Sequence, residues 1–307
     1  MTADTFFSEF NKLLLRYPKV PPNIHNSENS EYGEHLANCK NMHIAFDSSS
    51  CSDCLYLYDS YIAKNCIDCD YTVESELCYE SVDPFKCYNS AFLEYCVGTR
   101  DAYYSANCFN CHNIFGCINL AGKSFCIFNR QLSEEEYKRR VKEYLKWPPE
   151  KVLETLETLK KRYPLTQTHE AHNENSAYGN YSHYNKNCYM CFDSAHNEGC
   201  SYLYDSHHNA SSFDMTCAYD KNELSYQIVD SVKLFNCNFA FLSNNSHDSS
   251  YIFNCRNVKN CIGCVSLSNK QYCILNRQLS KEEYERVSKQ LLEEFKQKNF
   301  DWADVKF

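Results

Sequence analysis

Residues 64–78 read KNCIDCDYTVESELC, and every third one, Cys66, Cys69, Thr72, Ser75 and Cys78, is small or a thiol. The beat extends in both directions, from Leu36 through Cys39, Met42, Ala45, Ser48, Cys51, Cys54 and Leu57 to Cys126. All twelve cysteines of this half fall on it, which chance would produce roughly once in a hundred thousand trials. A small inward residue at every third position describes a narrow solenoid with no room for large side chains. Within the beat, Leu36, Cys51, Cys66, Ser81, Cys96, Cys111 and Cys126 recur at a spacing of fifteen. Two residues after each stand Asn38, Asp53, Asp68, Asp83, Gly98 and Asn113, types suited to a corner. The expectation is a mainly β fold built of fifteen-residue coils, each with five inward side chains, stacked at about 4.8 Å. One such unit cannot bury a face alone and must stack on its neighbours.

The pattern then occurs a second time. Arg16-Tyr17-Pro18 returns as Arg162-Tyr163-Pro164, Phe46-Asp47-Ser48 as Phe192-Asp193-Ser194, and Asn129-Arg130-Gln131-Leu132-Ser133 as Asn276-Arg277-Gln278-Leu279-Ser280. The offset grows by one residue between the early and late pairs, which places an insertion near 216–227. The chain therefore reads as two tandem solenoids of about six coils each. The expected divisions are an N-terminal helix and lead-in over 1–24, solenoids over 25–132 and 171–279, a helical connector over 133–170, and a helix and tail over 280–307. Helices are expected over 3–16, from Ser133 to about 147, over 149–161 and over 281–298. Ser133 with Glu136 and Ser280 with Glu283 form capping boxes. An open solenoid end exposes unpaired backbone, and the helices after Leu132 and Leu279 are its natural caps.

Composition removes several functions. The 307 residues carry 31 basic and 40 acidic side chains, a net charge of −9, which argues against a nucleic-acid groove. No stretch approaches the ~18 apolar residues of a membrane span. No signal peptide opens the chain, so a cytoplasmic location with reduced thiols is expected. The 21 cysteines are an odd number, so complete internal pairing is impossible.

In its inward beat the chain is similar to the tight solenoids of beetle antifreeze proteins, without their outward threonine arrays. The segments Lys64-Asn65-Cys66-Ile67-Asp68-Cys69, Ser75-Glu76-Leu77-Cys78-Tyr79-Glu80, Asn107-Cys108-Phe109-Asn110-Cys111 and Phe115-Gly116-Cys117-Ile118-Asn119-Leu120 resemble a cysteine-rich repeat family of small-genome, Patescibacteria-type candidate-phyla bacteria. The resemblance covers about 24–140 and, more loosely, 171–287. Members of that family often join a zinc-ribbon segment to one repeat block; here the ribbon is absent and the block is doubled. The CaiB/BaiF CoA-transferase label attached to the family finds no support here: no alternating strand–helix pattern and no nucleophilic carboxylate is visible.

Two sets of residues are candidates for function. Cys51, Cys54, Cys66 and Cys69 form two Cys-x-x-Cys pairs fifteen residues apart, which fifteen-residue coils would stack into a quartet able to hold zinc or iron. Against this, the solenoid demands small inward residues, and free Cys serves as one. The second copy has Asn197, Cys200, Ser212 and Met215 there, so packing outweighs metal, and a cofactor is left open. Tyr56, Tyr58, Tyr71, Tyr88 and Tyr103 are large outward residues that a solitary soluble solenoid should not display. They point to a protein partner or to self-association, including packing of the two solenoids. His207-His208 would point to different sides. The reading is a non-enzymatic scaffold that binds protein through aromatic faces; the alternative is a metal-binding or thiol storage or redox protein. Acyltransferase β-helices keep a different repeat and a catalytic His, and no equivalent is apparent.

Overall fold

A computed structural model describes residues 1–17, 24–84 and 86–295. The proline-rich lead-in at 18–22 and the tail at 299–307 lie outside the described residues. Two compact units result: the first unit is Pro21–Thr166, and the second is Met1–Val20 with Gln167–Phe307. Each holds one twelve-stranded sheet that winds into a β-solenoid, parallel throughout except for the last short strand.

The coil is twelve residues long, not fifteen. Met42 lies opposite Cys54, Leu57 opposite Cys69, Cys78 opposite Ser90 and Cys191 opposite Leu203. Each coil therefore has four sides of three residues and four inward columns. In the first unit one column runs Leu36, Ser48, Ser60, Thr72, Pro84, Cys96, Cys108 and Leu120, which is eight levels where about six were expected. The beat of three survives because twelve and fifteen are both its multiples. The added residue of the second unit lies at Asp220-Lys221, both in the left-handed region, and shifts the register to thirteen: Phe213 pairs with Tyr226 and Ala218 with Ser231.

A left-handed residue precedes nearly every inward one, as at Asn38, Asn41, Ile44 and Asp47 (φ 56°, 54°, 51° and 48°). Such φ values are uncommon outside glycine. Here each supplies one of four corners per coil, and its N–H reaches a carbonyl of the coil before, as Ser50 N does to Ala37 O at 2.8 Å. The residue after each inward one bonds forward, as Lys40 N does to Cys51 O at 3.0 Å.

The inward residue's own N–H points into the core, and the side chain one coil below accepts it. Cys66 N donates to Cys54 Sγ (3.4 Å), Cys117 N to Ser105 Oγ (3.1 Å) and Cys255 N to Ser243 Oγ (3.1 Å). The same thiols and hydroxyls donate to nearby carbonyls, as Cys54 Sγ does to Ser52 O at 3.0 Å. Cys and Ser are thus more than small fillers: they satisfy buried backbone that no strand partner serves. In the second unit one column becomes an asparagine ladder, Asn173, Asn185, Asn197, Asn209 and Asn222. Each of its amide oxygens accepts the backbone N–H above, at 2.9–3.1 Å.

Helices close the C-terminal ends. In the first unit α2 (Glu134–Tyr144) and α3 (Pro149–Arg162) follow the last coil; Tyr137, Val152 and Leu156 pack on Phe115, Ile118 and Ile127. In the second unit α4 (Lys281–Phe295) follows the last coil, but its companion is the N-terminal helix α1 (Ala3–Arg16), whose Phe6 and Phe10 pack with Tyr251, Ile262 and Phe295. α1 precedes one solenoid in the chain and caps the other. Ser133 and Ser280 accept from Glu136 N and Glu283 N as capping residues, both at 3.2 Å. Asn129 and Asn276 pair their side-chain amides with both backbone groups of Ile118 and Val265, which stops the coil.

Candidate functional site

The twelve-residue coil rearranges both sets of candidate residues. Cys51 lies above Cys39 and below Ala63, whose N–H it accepts at 3.4 Å; Cys54 lies below Cys66. The predicted quartet of two stacked pairs does not form. Cys66 instead receives the thiols of Cys54, Cys69 and Cys78, which hold it low, while each of those three is pushed up by its bond to Cys66 and by burial. Burial likewise pushes Cys237 and Cys255 up to about 12. Among the described residues no three His, Cys, Asp or Glu side chains converge on a point that could hold a metal ion.

The five tyrosines fall on three sides of the coil. Tyr88 stands 47 % exposed on a polar side, among Lys64, Glu76 and Arg100. Tyr103 packs into the cluster beneath α2 and α3. Tyr71 packs edge-on against Tyr58 at 6.2 Å. Tyr56 and Tyr58 flank one inward column, Leu57–Cys69–Ser81–Leu93–Ser105, and there a groove runs along the solenoid.

One wall of the groove is the ladder Tyr56, Asp68, Glu80, Phe92, Tyr104; the other is Tyr58, Asp70, Val82, Glu94, Ala106. Phe92 and Tyr104 stack at 4.4 Å, and Tyr79 crosses edge-on to Phe92 at 5.5 Å. Near its end the groove deepens to about 300 Å³ between Glu80, Phe92, Glu94 and Tyr104 and the α3 residues Leu153 and Lys160. Lys160 Nζ lies 3.7 Å from Glu94 Oε2. The walls thus offer aromatic faces and carboxylates together, and one lysine-bearing helix already uses their end. In the second unit the same corner forms an open depression of about 520 Å³ between Met190, Tyr202, Asp214 and Gln227 on one wall and Phe192, Tyr204, Thr216 and Val229 on the other. Glu80 and Asp70 are replaced there by Gln227 and Thr216, which removes two carboxylates.

A second cluster lies on the second unit. Cys217 is the one cysteine off the inward columns and the one only partly buried. Its thiol donates to Asp205 Oδ2 (3.5 Å), which also accepts the Tyr219 hydroxyl, while His207 Nε2 lies 3.7 Å from Asp205 Oδ1. Burial would raise the Asp205 carboxyl, but His207, Tyr219 and Cys217 outweigh it and hold it below the usual carboxylate range. His207 stacks on Tyr219 at 5.7 Å and His208 on His196 at 4.8 Å, so the adjacent histidines do point apart. The acidic groove residues and Cys217 escape a fifteen-residue reading. A signal was present in oppositely charged residues twelve apart, Glu28 with Lys40, Lys64 with Glu76 and Lys186 with Glu198, which pair across neighbouring coils.

No family model and no curated protein matches the chain. Among solved structures, a protein of Desulfovibrio desulfuricans provisionally described as an acetyltransferase aligns at 9 % identity and a TM-score of 0.17, over 81 % of this chain and 67 % of its own. The UDP-N-acetylglucosamine O-acyltransferase of Moraxella catarrhalis aligns at 10 % identity and a TM-score of 0.10, over 72 % and 70 %. The expectation that the chain is not an enzyme is withdrawn on this finding, since the first of these is described as an enzyme. Likeness at these scores assigns no activity, substrate or catalytic residue to this chain. No helix among the described residues is long and apolar enough to cross a membrane.

Proposed function

We propose that the first unit binds a basic, aliphatic protein segment along the groove between the Tyr56 and Tyr58 ladders. The observation that carries this reading is the end of the same groove: α3 walls it there with Leu153 and Leu156 and brings Lys160 to 3.7 Å from Glu94. Further along, the walls continue that chemistry with Asp68 and Asp70 beside Tyr56 and Tyr58. Charge gives register and on-rate, and the aromatic surface gives burial. The test uses two labelled peptides titrated against the full chain: residues 149–162 as they stand, and the same peptide with Lys151, Lys160, Lys161 and Arg162 replaced by Glu. The native peptide is expected to bind, to weaken as salt rises, and to lose about tenfold in affinity on Asp68→Asn with Glu80→Gln. Equal binding of both peptides, or no effect of the double substitution, would refute the reading.

A further inference from the structure

We propose that the cavity beneath α1 in the second unit binds a small organic anion with an apolar body. The cavity measures about 530 Å³, within the range of small-molecule sites. Its floor is apolar, from Leu13, Ile274, Leu275, Leu279 and Val287, and its rim carries Arg16, Arg277, Glu9 and Glu283. Two segments that recur in both halves of the chain, Arg16-Tyr17 and Asn276-Arg277, meet only through the docking of α1 on the other solenoid.

The rim carries two guanidinium groups, Arg16 and Arg277, and two carboxylates, Glu9 and Glu283. Among the described residues no carboxylate lies within ion-pair distance of Arg16 or Arg277. Glu9 is engaged by Lys12 at 2.7 Å, and that bond with the Lys12 charge, and to a smaller extent the Arg277 charge, holds its carboxyl below the usual range. Glu283 sits in the first turn of α4, where the helix N-terminus offsets its charge. The Tyr17 hydroxyl accepts from Asn276 Nδ2 at 3.0 Å, and its own proton remains to be donated. Asn276 is spent on Val265 and Tyr17, so it offers no competing acceptor. Two guanidinium groups and a phenol above an apolar floor suit a carboxylate or sulfonate on a hydrocarbon or ring. The equivalent Arg162 of the first unit lies instead over the ring of its own Tyr163, 5.5 Å away, so the site belongs to the second unit.

The probe is anilinonaphthalene sulfonate, titrated against the full chain and then displaced by octanoate, octylammonium or octanol. Octanoate is expected to displace it best. Arg16→Gln with Arg277→Gln should weaken octanoate about tenfold, leave octanol unchanged, and leave the circular dichroism intact because both side chains are exposed. Arg130→Gln with Arg162→Gln should change neither competitor. Leu13→Trp, which fills the cavity, should remove the octanoate-sensitive signal. Octylammonium competing as well as octanoate would overturn the proposal, as would octanoate binding that survives either Leu13→Trp or the Arg16/Arg277 pair.

Discussion

Replacing Asn197 separates filling the core from satisfying its backbone. Asn197 is 1 % exposed. Its Nδ2 donates to Asn185 Oδ1 (3.0 Å) and Ser206 O (2.9 Å), and its Oδ1 accepts Asn209 N (2.9 Å). Asn197→Ala deletes all three bonds. The buried Asn209 N–H left behind costs about 1–3 kcal/mol, and each of the two lost amide N–H bonds about 1 kcal/mol more, so the total is about 3–5 kcal/mol. Asn197→Cys behaves differently, because the first unit already uses Cys51 at the equivalent place. There the thiol accepts Ala63 N (3.4 Å) and donates to Ser49 O (3.3 Å) and Ser60 O (3.5 Å). A thiol at 197 keeps the acceptor for Asn209, and the expected cost is about 1 kcal/mol. Solenoids need not unfold as one unit, so the readout is local: native-state hydrogen exchange at Asn209 and its neighbours. The difference between the variants is at least about 2 kcal/mol, which is about thirtyfold or more in protection. Equal protection in the two variants would show that the column only fills space, and that its side chains are not needed as acceptors for the coil above.

The same logic at Cys54 predicts that Cys54→Ser is close to neutral, while Cys54→Ala, which strands Cys66 N, loses about 1–3 kcal/mol in urea unfolding. Treating the native protein with iodoacetamide should label Cys217 first, with the twenty inward thiols reacting only after opening; peptide mass spectrometry assigns the site, and early labelling at Cys54 or Cys66 would contradict it. Asp205 has a folded-state pKa below its unfolded value, so its contribution is present above the unfolded value and is lost as pH falls through the folded one. Asp205→Asn should therefore lower the melting temperature at neutral pH and cease to matter below the carboxylate range. A cost that persists in acid would mean that the side chain acts through packing.

The inward beat was legible because every coil imposes it, and because a thiol, hydroxyl or small group is needed at each inward position. The duplication, the helices and their caps were legible for the same reason: each rests on several residues in fixed order. Coil length was not, since any multiple of three satisfies the beat. The fifteen-spaced set Cys51, Cys66, Ser81, Cys96 is real, but a step of fifteen climbs one coil and moves on by one corner, so the set spirals around the core instead of stacking. That error joined Cys51 to Cys66. The exchange of α1 onto the second solenoid was not legible either. The recurrence of Arg-Tyr-Pro made α1 and α3 equivalent, but only the packing of Val152 and Leu156 against the first solenoid shows which end such a helix caps.

The bonding of the core constrains where this protein can act. An inward thiol here is acceptor for one coil and donor to carbonyls around it, so its modification or metallation would break the stack that positions it. Cysteines in such number would suggest chemistry at sulfur, yet burial and mutual bonding commit the inward ones to the stack. Variation is absorbed instead at outward corners. The extra residue enters at Asp220-Lys221, and Asn222 still stacks on Asn209 through an Nδ2–Oδ1 bond of 2.9 Å. The two copies keep the same inward lattice, though Cys51 and Cys69 of the first become Asn197 and Met215 of the second, and they differ outside: carboxylates line the groove of the first, histidines and Cys217 mark a side of the second, and α1 roofs a cavity in the second. The proposed binding sites are therefore both placed on outward features, which are free to vary while the twelve-residue lattice beneath them holds the backbone.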